Sequence, residues 1–301
     1  MKRTAFEIIA NQDLSGKVFL ITGGYSGLGA IHAEALLMAN ATVIVAGRNE
    51  QLQLDFQNRL KSKPNLNFED HQLDVSKNID LGDLQSVQEF AIYIKKKYTQ
   101  IDCLINNAGV MFTPPGKTKD GFEMQMGVNV IGHFLLAKIL VDITKRQVWL
   151  SSKGHIRFGA PRIDLKAITD VDENNYVTRA RYQQSKLGDI LLAKQFAQKH
   201  PHLKAVSVHP GVVKTNLGRH MTMGKKILFV LQHPIALMNM LEPEEGAATQ
   251  VMLSIQSETD LVNGAYHADC KVIEEAESAR NMDDAKLLYD YCDEVTKAFQ
   301  V

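Results

Sequence analysis

Cysteine is scarce in these 301 residues. Cys103, Cys270 and Cys292 are too few and too scattered for a disulfide framework or a zinc site, and no metal is expected. The ten histidines include no HExxH or other close pairing of ligand type. Neither sign of charge is in excess, with 34 Lys plus Arg against 34 Asp plus Glu. Without a global field to draw the chain onto phosphates, no nucleic-acid partner is expected. Nor does any run approach the roughly 20 apolar residues that cross a bilayer. The longest are Phe134–Val141, broken by Lys138, and Ile227–Leu231. After Lys2 and Arg3 the apolar stretch Ala5–Ala10 is short and carries Glu7, so no secretory signal is read there. These absences point to a reducing, cytoplasmic setting with no membrane contact. With 45% hydrophobic and 23% charged residues, what remains is enough to bury a sizeable core, which excludes a disordered chain.

What is present is alternation. Val18–Thr22 and Thr42–Ala46 read as buried strands, Phe68–Val75 as a mixed one, and Cys103–Asn106, Gln147–Ser151 and Ala205–Val208 as three more. Between them lie helical patterns: Leu28 to Met38, Gln51–Lys61, Leu84 to Ile94, Phe122–Lys145 and Arg179–Lys199. This order predicts one Rossmann-like, doubly wound α/β domain over residues 1–301, its parallel sheet of about seven strands covered by helices on both faces. No linker, repeat or low-complexity segment divides it. Gly218 to Glu245, rich in Met, Leu and Ile, interrupts the alternation after the last strand, where such folds carry ligand-covering insertions.

Four groups of residues carry chemistry. Thr22-Gly-Gly-Tyr-Ser-Gly-Leu-Gly29 closes a strand and opens a helix, the context of a phosphate-binding turn. There Gly23, Gly27 and Gly29 let the backbone approach a pyrophosphate, and the helix start offers free N–H groups. Its T-G-x-x-x-G-x-G spacing differs from G-x-G-x-x-G. At the end of the second strand Arg48 and Asn49 stand where a carboxylate would meet a ribose 2′-OH; an arginine suits a 2′-phosphate. Tyr182 and Lys186 lie one helical turn apart, so the ammonium favours the tyrosinate and brings its proton exchange toward neutral pH. Asn106–Gly109, Ser151–Ser152 and Pro210–Thr215 each follow a strand, at the sheet edge where ligands bind.

In this order the motifs resemble those of the short-chain dehydrogenase/reductase family over about Gly16 to Tyr291. The residues that carry the likeness are Thr22–Gly29, Asp74, Asn106–Gly109, Asn129, Ser152, Tyr182 with Lys186, and Pro210–Thr215. Asn129-Val-Ile-Gly-His-Phe134, Tyr182-Gln-Gln-Ser-Lys-Leu187 and Gly264–Cys270 are similar to the retinol-dehydrogenase-like branch. The resemblance implies an oxidoreductase that moves hydride between NADP(H), rather than NAD(H), and a carbonyl or alcohol. Tyr182 would be the general acid/base, Ser152 would orient the substrate oxygen, Lys186 would hold the nicotinamide ribose, and Asn129 would hold a relay water. The cofactor would lie along Gly23, Tyr25, Ser26, Gly27, Leu28 and Gly29. Arg48 and Asn49 would meet its 2′-phosphate, Asp74 and Val75 its adenine, Asn107, Ala108 and Gly109 its adenosine side. Pro210, Gly211, Val213 and Thr215 would meet the nicotinamide and phosphates.

Three departures stand out. Tyr25 and Ser26 replace a second basic clamp, Asn40 replaces a helix-ending glycine, and the branch's usual N-terminal membrane helix is not seen. Asparagine tolerates the left-handed backbone a glycine would supply. Residues 218–240 correspond to a substrate lid whose methionines favour an apolar substrate. Core or dimer packing, or membrane-surface contact through Lys225–Leu231, are other readings of that stretch. By analogy a homodimer or tetramer would pair through Phe122–Lys145 and Arg179–Lys199. Two other functions are compatible with the motifs: a silent NADP(H)-binding sensor, and a reductase of conjugated C=C bonds.

Overall fold

Short apolar runs rich in β-branched residues become strands because both their faces are covered. They are β1 (Val18–Thr22), β2 (Thr42–Ala46), β3 (Leu73–Asp74), β4 (Cys103–Asn106), β5 (Arg146–Leu150), β6 (Lys204–Val208), β7 (Tyr266–Ala268) and β8 (Lys271–Val272). The computed structural model describes residues 3–157, 162–172, 174–214 and 240–300. The strands form one sheet in the order β3-β2-β1-β4-β5-β6-β7-β8, parallel from β3 to β7, with β8 antiparallel at the edge. Seven parallel strands match the expectation; the antiparallel eighth was not anticipated.

The helices are α1 (Ala5–Ile9), α2 (Gly27–Met38), α3 (Glu50–Lys61), α4 (Leu84–Lys97), α5 (Met124–Met126), α6 (Gly132–Ile139), α7 (Gly154–Arg157), α8 (Thr178–Lys199), α9 (Pro243–Ile255) and α10 (Met282–Thr296). Successive strand residues point to opposite faces. Leu20, Ile44, Leu104, Trp149 and Ala205 therefore enter one core with α4, α6, α8 and α10. Phe19, Val43, Ile105, Val148 and Val206 enter the other with α1, α2, α3 and α9. Each such fully buried side chain contributes roughly 1.5–3 kcal/mol. Side-chain caps mark several starts: Asn49 accepts from Leu52 N, Asp83 from Gln85 N and Ser86 N, and Asn281 from Asp283 N and Asp284 N. Asn40, at φ 66°, makes the left-handed turn between α2 and β2.

Two expectations need correction. Phe68–Val75 is a strand only at Leu73–Asp74, because a 3₁₀ turn occupies Asp70–Gln72. Phe122–Lys145 is not one helix. A π-helical turn, Gly127–Ile131, separates α5 from α6, which ends at Ile139 before a 3₁₀ turn. Gly127 and Gly132 lie in and beside that turn, where an added Cβ would sit 2.3 Å from Thr118 Cγ2 and from Leu81 O respectively. The C-terminal α10 packs against α6 and α8, and its Leu288, Tyr289 and Cys292 belong to their core. The Tyr289 ring stands 5.0 Å from Phe134 and 5.2 Å from Phe196.

Strand order reverses between β1 and β4, which opens a crevice at their C-terminal ends. Of the stretch 218–245, residues 218–239 lie outside the described residues, and Pro243 already opens α9.

Candidate active site

The crevice is a cleft of about 850 Å³ walled by the turns that follow β1, β2, β4, β5 and β6. Its floor is the glycine turn. Gly23 and Gly27 have φ of 65° and 52°, a conformation that a side chain disfavours. A Cβ at Gly29 would come within 2.5 Å of Gly23 O and 2.6 Å of Asn107 Nδ2, so only glycine lets α2 start this close. Ser26 at the N-cap of α2 makes no side-chain cap bond, which leaves the first-turn amides for a ligand anion.

Thr22 ties this turn to the one after β4. Its Oγ1 accepts from Asn107 N and Ala108 N, both at 2.9 Å, and Asn107 Nδ2 donates to Thr22 O at 2.7 Å. His133 Nε2 lies 2.8 Å from the same hydroxyl, and its Nδ1 lies 3.0 Å from Asn129 O. Burial pushes the His133 imidazole down to about 4, so the ring is neutral. A neutral ring donating from Nδ1 to Asn129 O accepts the Thr22 proton at Nε2, and every partner is satisfied.

Asn129 sits within the π turn. Its Oδ1 accepts from Val110 N at 2.9 Å, while Nδ2 donates to Val110 O and Ser185 Oγ, each at 3.0 Å. It braces the wall of the cleft from behind rather than lining it. Ser151 and Ser152 divide the work at the end of β5. The Ser151 hydroxyl donates to Lys186 O at 2.6 Å and pins α8 to the sheet. Ser152 and Tyr182 face the cleft.

Lys186 Nζ lies 5.9 Å from the Tyr182 ring centroid and donates to Leu150 O at 2.7 Å and Asp189 Oδ2 at 2.8 Å. The expected downward pull on Tyr182 is present but outweighed. Burial pushes the phenol above its ordinary value, Lys186 and a hydrogen bond from Ser152 work against that, and Asp189 adds to the rise. Phe112, at φ 54°, sets its ring edge-on to Tyr182 at 5.4 Å.

Of the other anticipated cofactor residues, Tyr25, Leu28, Arg48, Asn49, Gly109, Pro210 and Gly211 line the cleft together with Gly23, Ser26, Gly27, Asn107 and Ala108. The Tyr25 ring lies across Gly47, where an added Cβ would fall 2.0 Å from Cε1. Arg48 is exposed and has no ion pair or side-chain hydrogen bond among the described residues. Gly29 lies beneath the floor. Val213 bridges Leu241 and lines the space over Gly246 rather than the cleft. Thr215 lies outside the described residues.

Asp74 and Val75 are not at the cleft; Asp80 and Leu81 are. The chain loops out over Val75–Asn78 and returns with Ile79 N donating to Gly47 O at 3.0 Å. That loop moves the edge of the sheet six residues along. Asp74 is instead bonded by Lys97 at 2.7 Å, by Tyr98 at 2.8 Å and by Ser76. Burial opposes its charge, but these donors prevail and hold the carboxyl below its usual range. The signal lay in the sequence: Leu73-Asp-Val75 and Ile79-Asp-Leu81 are the same apolar–Asp–apolar pattern written twice.

The turns and donors are shaped for a dinucleotide: a glycine floor closed to any Cβ, uncapped helix amides and, at the cleft's far end, a guanidinium unpaired among the described residues. Among the described residues no cluster of His, Cys, Asp or Glu has the makings of a metal site, and no helix is long and apolar enough to cross a membrane.

Comparison with known proteins agrees. The family described as short chain dehydrogenase matches residues 17–226. Retinol dehydrogenase 14 of Mus musculus is 35% identical, over 92% of this chain and 85% of its own. Short-chain dehydrogenase TIC 32 A, chloroplastic, of Brassica napus is 33% identical over 96% and 91%. A crystal structure of an uncharacterised protein from Mycobacterium Paratuberculosis superposes with TM-score 0.74 at 27% identity, covering 99% of this chain and 98% of that one.

Proposed function

The chain belongs to the short-chain dehydrogenase/reductase family, in its retinol-dehydrogenase-like branch, and is thus an oxidoreductase; on that premise we propose that it interconverts an apolar carbonyl and its alcohol using NADP(H), with Tyr182 as general acid/base. The observation that carries this is the convergence of Ser152, Tyr182 and Lys186 on one cleft whose floor is the glycine turn.

A bound nicotinamide dinucleotide supplies or takes up the hydride. The chain does the rest. The α2 amides and the Asn107–Gly109 turn hold its phosphates and adenosine side, Asp80 and Leu81 border its adenine, and Lys186 meets its ribose. Ser152 donates a hydrogen bond to the substrate oxygen and fixes it beside the Tyr182 hydroxyl. In reduction the Tyr182 O–H bond breaks and its proton passes to the substrate oxygen; in oxidation the tyrosinate takes that proton back. Lys186 stabilises the tyrosinate. Met124, Val128 and Met240 give the cleft an apolar lining, which supports an apolar substrate.

Preference for the phosphorylated cofactor rests on Arg48, exposed at the end of β2 with no competing partner among the described residues. A charge-assisted contact to a 2′-phosphate is worth roughly 1.5–3 kcal/mol. Oxidation of NADPH and NADH is to be followed with a panel of aldehydes, ketones and retinoids. NADPH is expected to be favoured, and Arg48→Ala to cut that preference roughly 10- to 100-fold. Equal use of both cofactors by the unaltered protein would remove Arg48 from the account.

A further inference from the structure

Asp189 has no part in the chemistry above, yet it lies three residues beyond Lys186 on α8 and touches it. The carboxylate is 4% exposed, and its Oδ2 accepts from Lys186 Nζ at 2.8 Å. Among the described residues no second side-chain donor reaches it. Burying an ion pair costs several kcal/mol per ion before the attraction is counted. Lys186 does not need this carboxylate for a hydrogen-bond acceptor, because Leu150 O already accepts at 2.7 Å. A neutral side chain at 189 would spare the cost, so what the carboxylate adds is its charge.

We propose that Asp189 is a positioning residue that raises the proton affinity of Tyr182 by offsetting the charge of Lys186, so that the site is biased toward giving a proton to a carbonyl. The proposal rests on the acid/base role of Tyr182 given above.

With Asp189 ionised, Tyr182, Lys186 and Asp189 together are neutral while the tyrosine holds its proton, and carry one negative charge once it leaves. Without Asp189 the same group goes from positive to neutral, which is the easier ionisation in a buried site. Among the described residues the other groups facing the trio do not replace that charge. His133 from α6 is neutral, Ser152 after β5 is a hydroxyl, and Tyr266 from β7 is kept protonated by burial. Burial also pushes the Asp189 carboxyl up to about 6, against the pull of Lys186. As pH falls through that value Asp189 takes a proton, and Lys186 recovers its full effect on Tyr182.

The test is Asp189→Asn, which keeps the shape and an acceptor for Lys186 but removes the charge. Ionisation of Tyr182 is read without turnover, as the ultraviolet difference titration lost on Tyr182→Phe, measured with and without the Asp189 substitution. The midpoint is expected to fall by roughly one pH unit on Asp189→Asn, and to stay within a few tenths on Asp189→Glu. The acid limb of alcohol oxidation should move down by the same amount. Asp189→Ser, also neutral, repeats the titration if Asp189→Asn does not fold. An unchanged or raised midpoint in a folded neutral variant overturns the proposal. Absence of turnover in the unaltered protein would instead strike the hydride-transfer reading and leave the titration to stand by itself.

Discussion

His32 shows how much a single buried ring contributes. It lies between α2 and α9, with Gln250 Nε2 3.1 Å from its Nδ1 and Ser254 Oγ 3.0 Å from its Nε2. Ser254 Oγ donates onward to Val251 O, so the imidazole is neutral with its proton on Nε2. Burial pushes its pKa from 6.5 down to about 3. For a base whose folded value is depressed, the stabilisation is present above pH 6.5 and is lost as pH falls toward 3. Between pH 7 and 5 this ring alone should cost about 2 kcal/mol of stability. Urea unfolding at those two pH values should show the loss shrinking by about that much in His32→Gln; equal losses in both proteins would contradict it. Residues of this kind differ in how legible they were. Tyr182 and Lys186 announce themselves by spacing and Ser152 by its place after a strand. Asp189 reads as an ordinary polar residue of a helix until its distance to Lys186 is known.

At the scale of elements, β3 shows where reading by strand fails. A strand of two residues, held by Lys97, Tyr98 and Ser76 around Asp74, is followed by a loop that returns to the sheet only at Ile79. Apolar runs gave β1, β2, β4, β5 and β6 because both faces of the sheet are dry. A looped-out segment has no such pattern, and of the two equivalent Asp triplets it is the second, not the expected Asp74, that reaches the cleft. The π turn at Gly127–Ile131 was illegible for a related reason: it and α6 are buried nearly all round, so no apolar stripe marks the extra residue. The two aspartates can be told apart. Asp80→Ala should weaken NADPH binding roughly tenfold, as expected for one lost hydrogen bond, with little change in stability. Asp74→Asn should leave binding within twofold and cost roughly 2–3 kcal/mol of stability. Fluorescence titration and thermal melting would read both, and the reverse pattern would restore Asp74 to the cleft.

For the molecule as a whole, the sheet order puts every turn that carries chemistry at one edge, and the helices on its two faces have no part in the reaction except α2 and α8. These two deliver opposite things to the cleft: open amides from the start of α2, a buried Tyr–Lys–Asp series from the middle of α8. The C-terminal α10 packs on α8 and α6 with Leu288, Tyr289 and Cys292 and completes their core. None of this packing was legible in the sequence, since the packing partner of a helix is not written in its own periodicity. In the proposed reaction Tyr182 exchanges the proton that accompanies hydride transfer. Tyr182→Phe, assayed for both NADPH binding and turnover of whichever carbonyl the unaltered protein reduces, tests it most directly. Binding is expected to stay within a few fold and the rate to fall at least 100-fold, the scale of a lost general acid. Undiminished turnover in that variant would contradict that role.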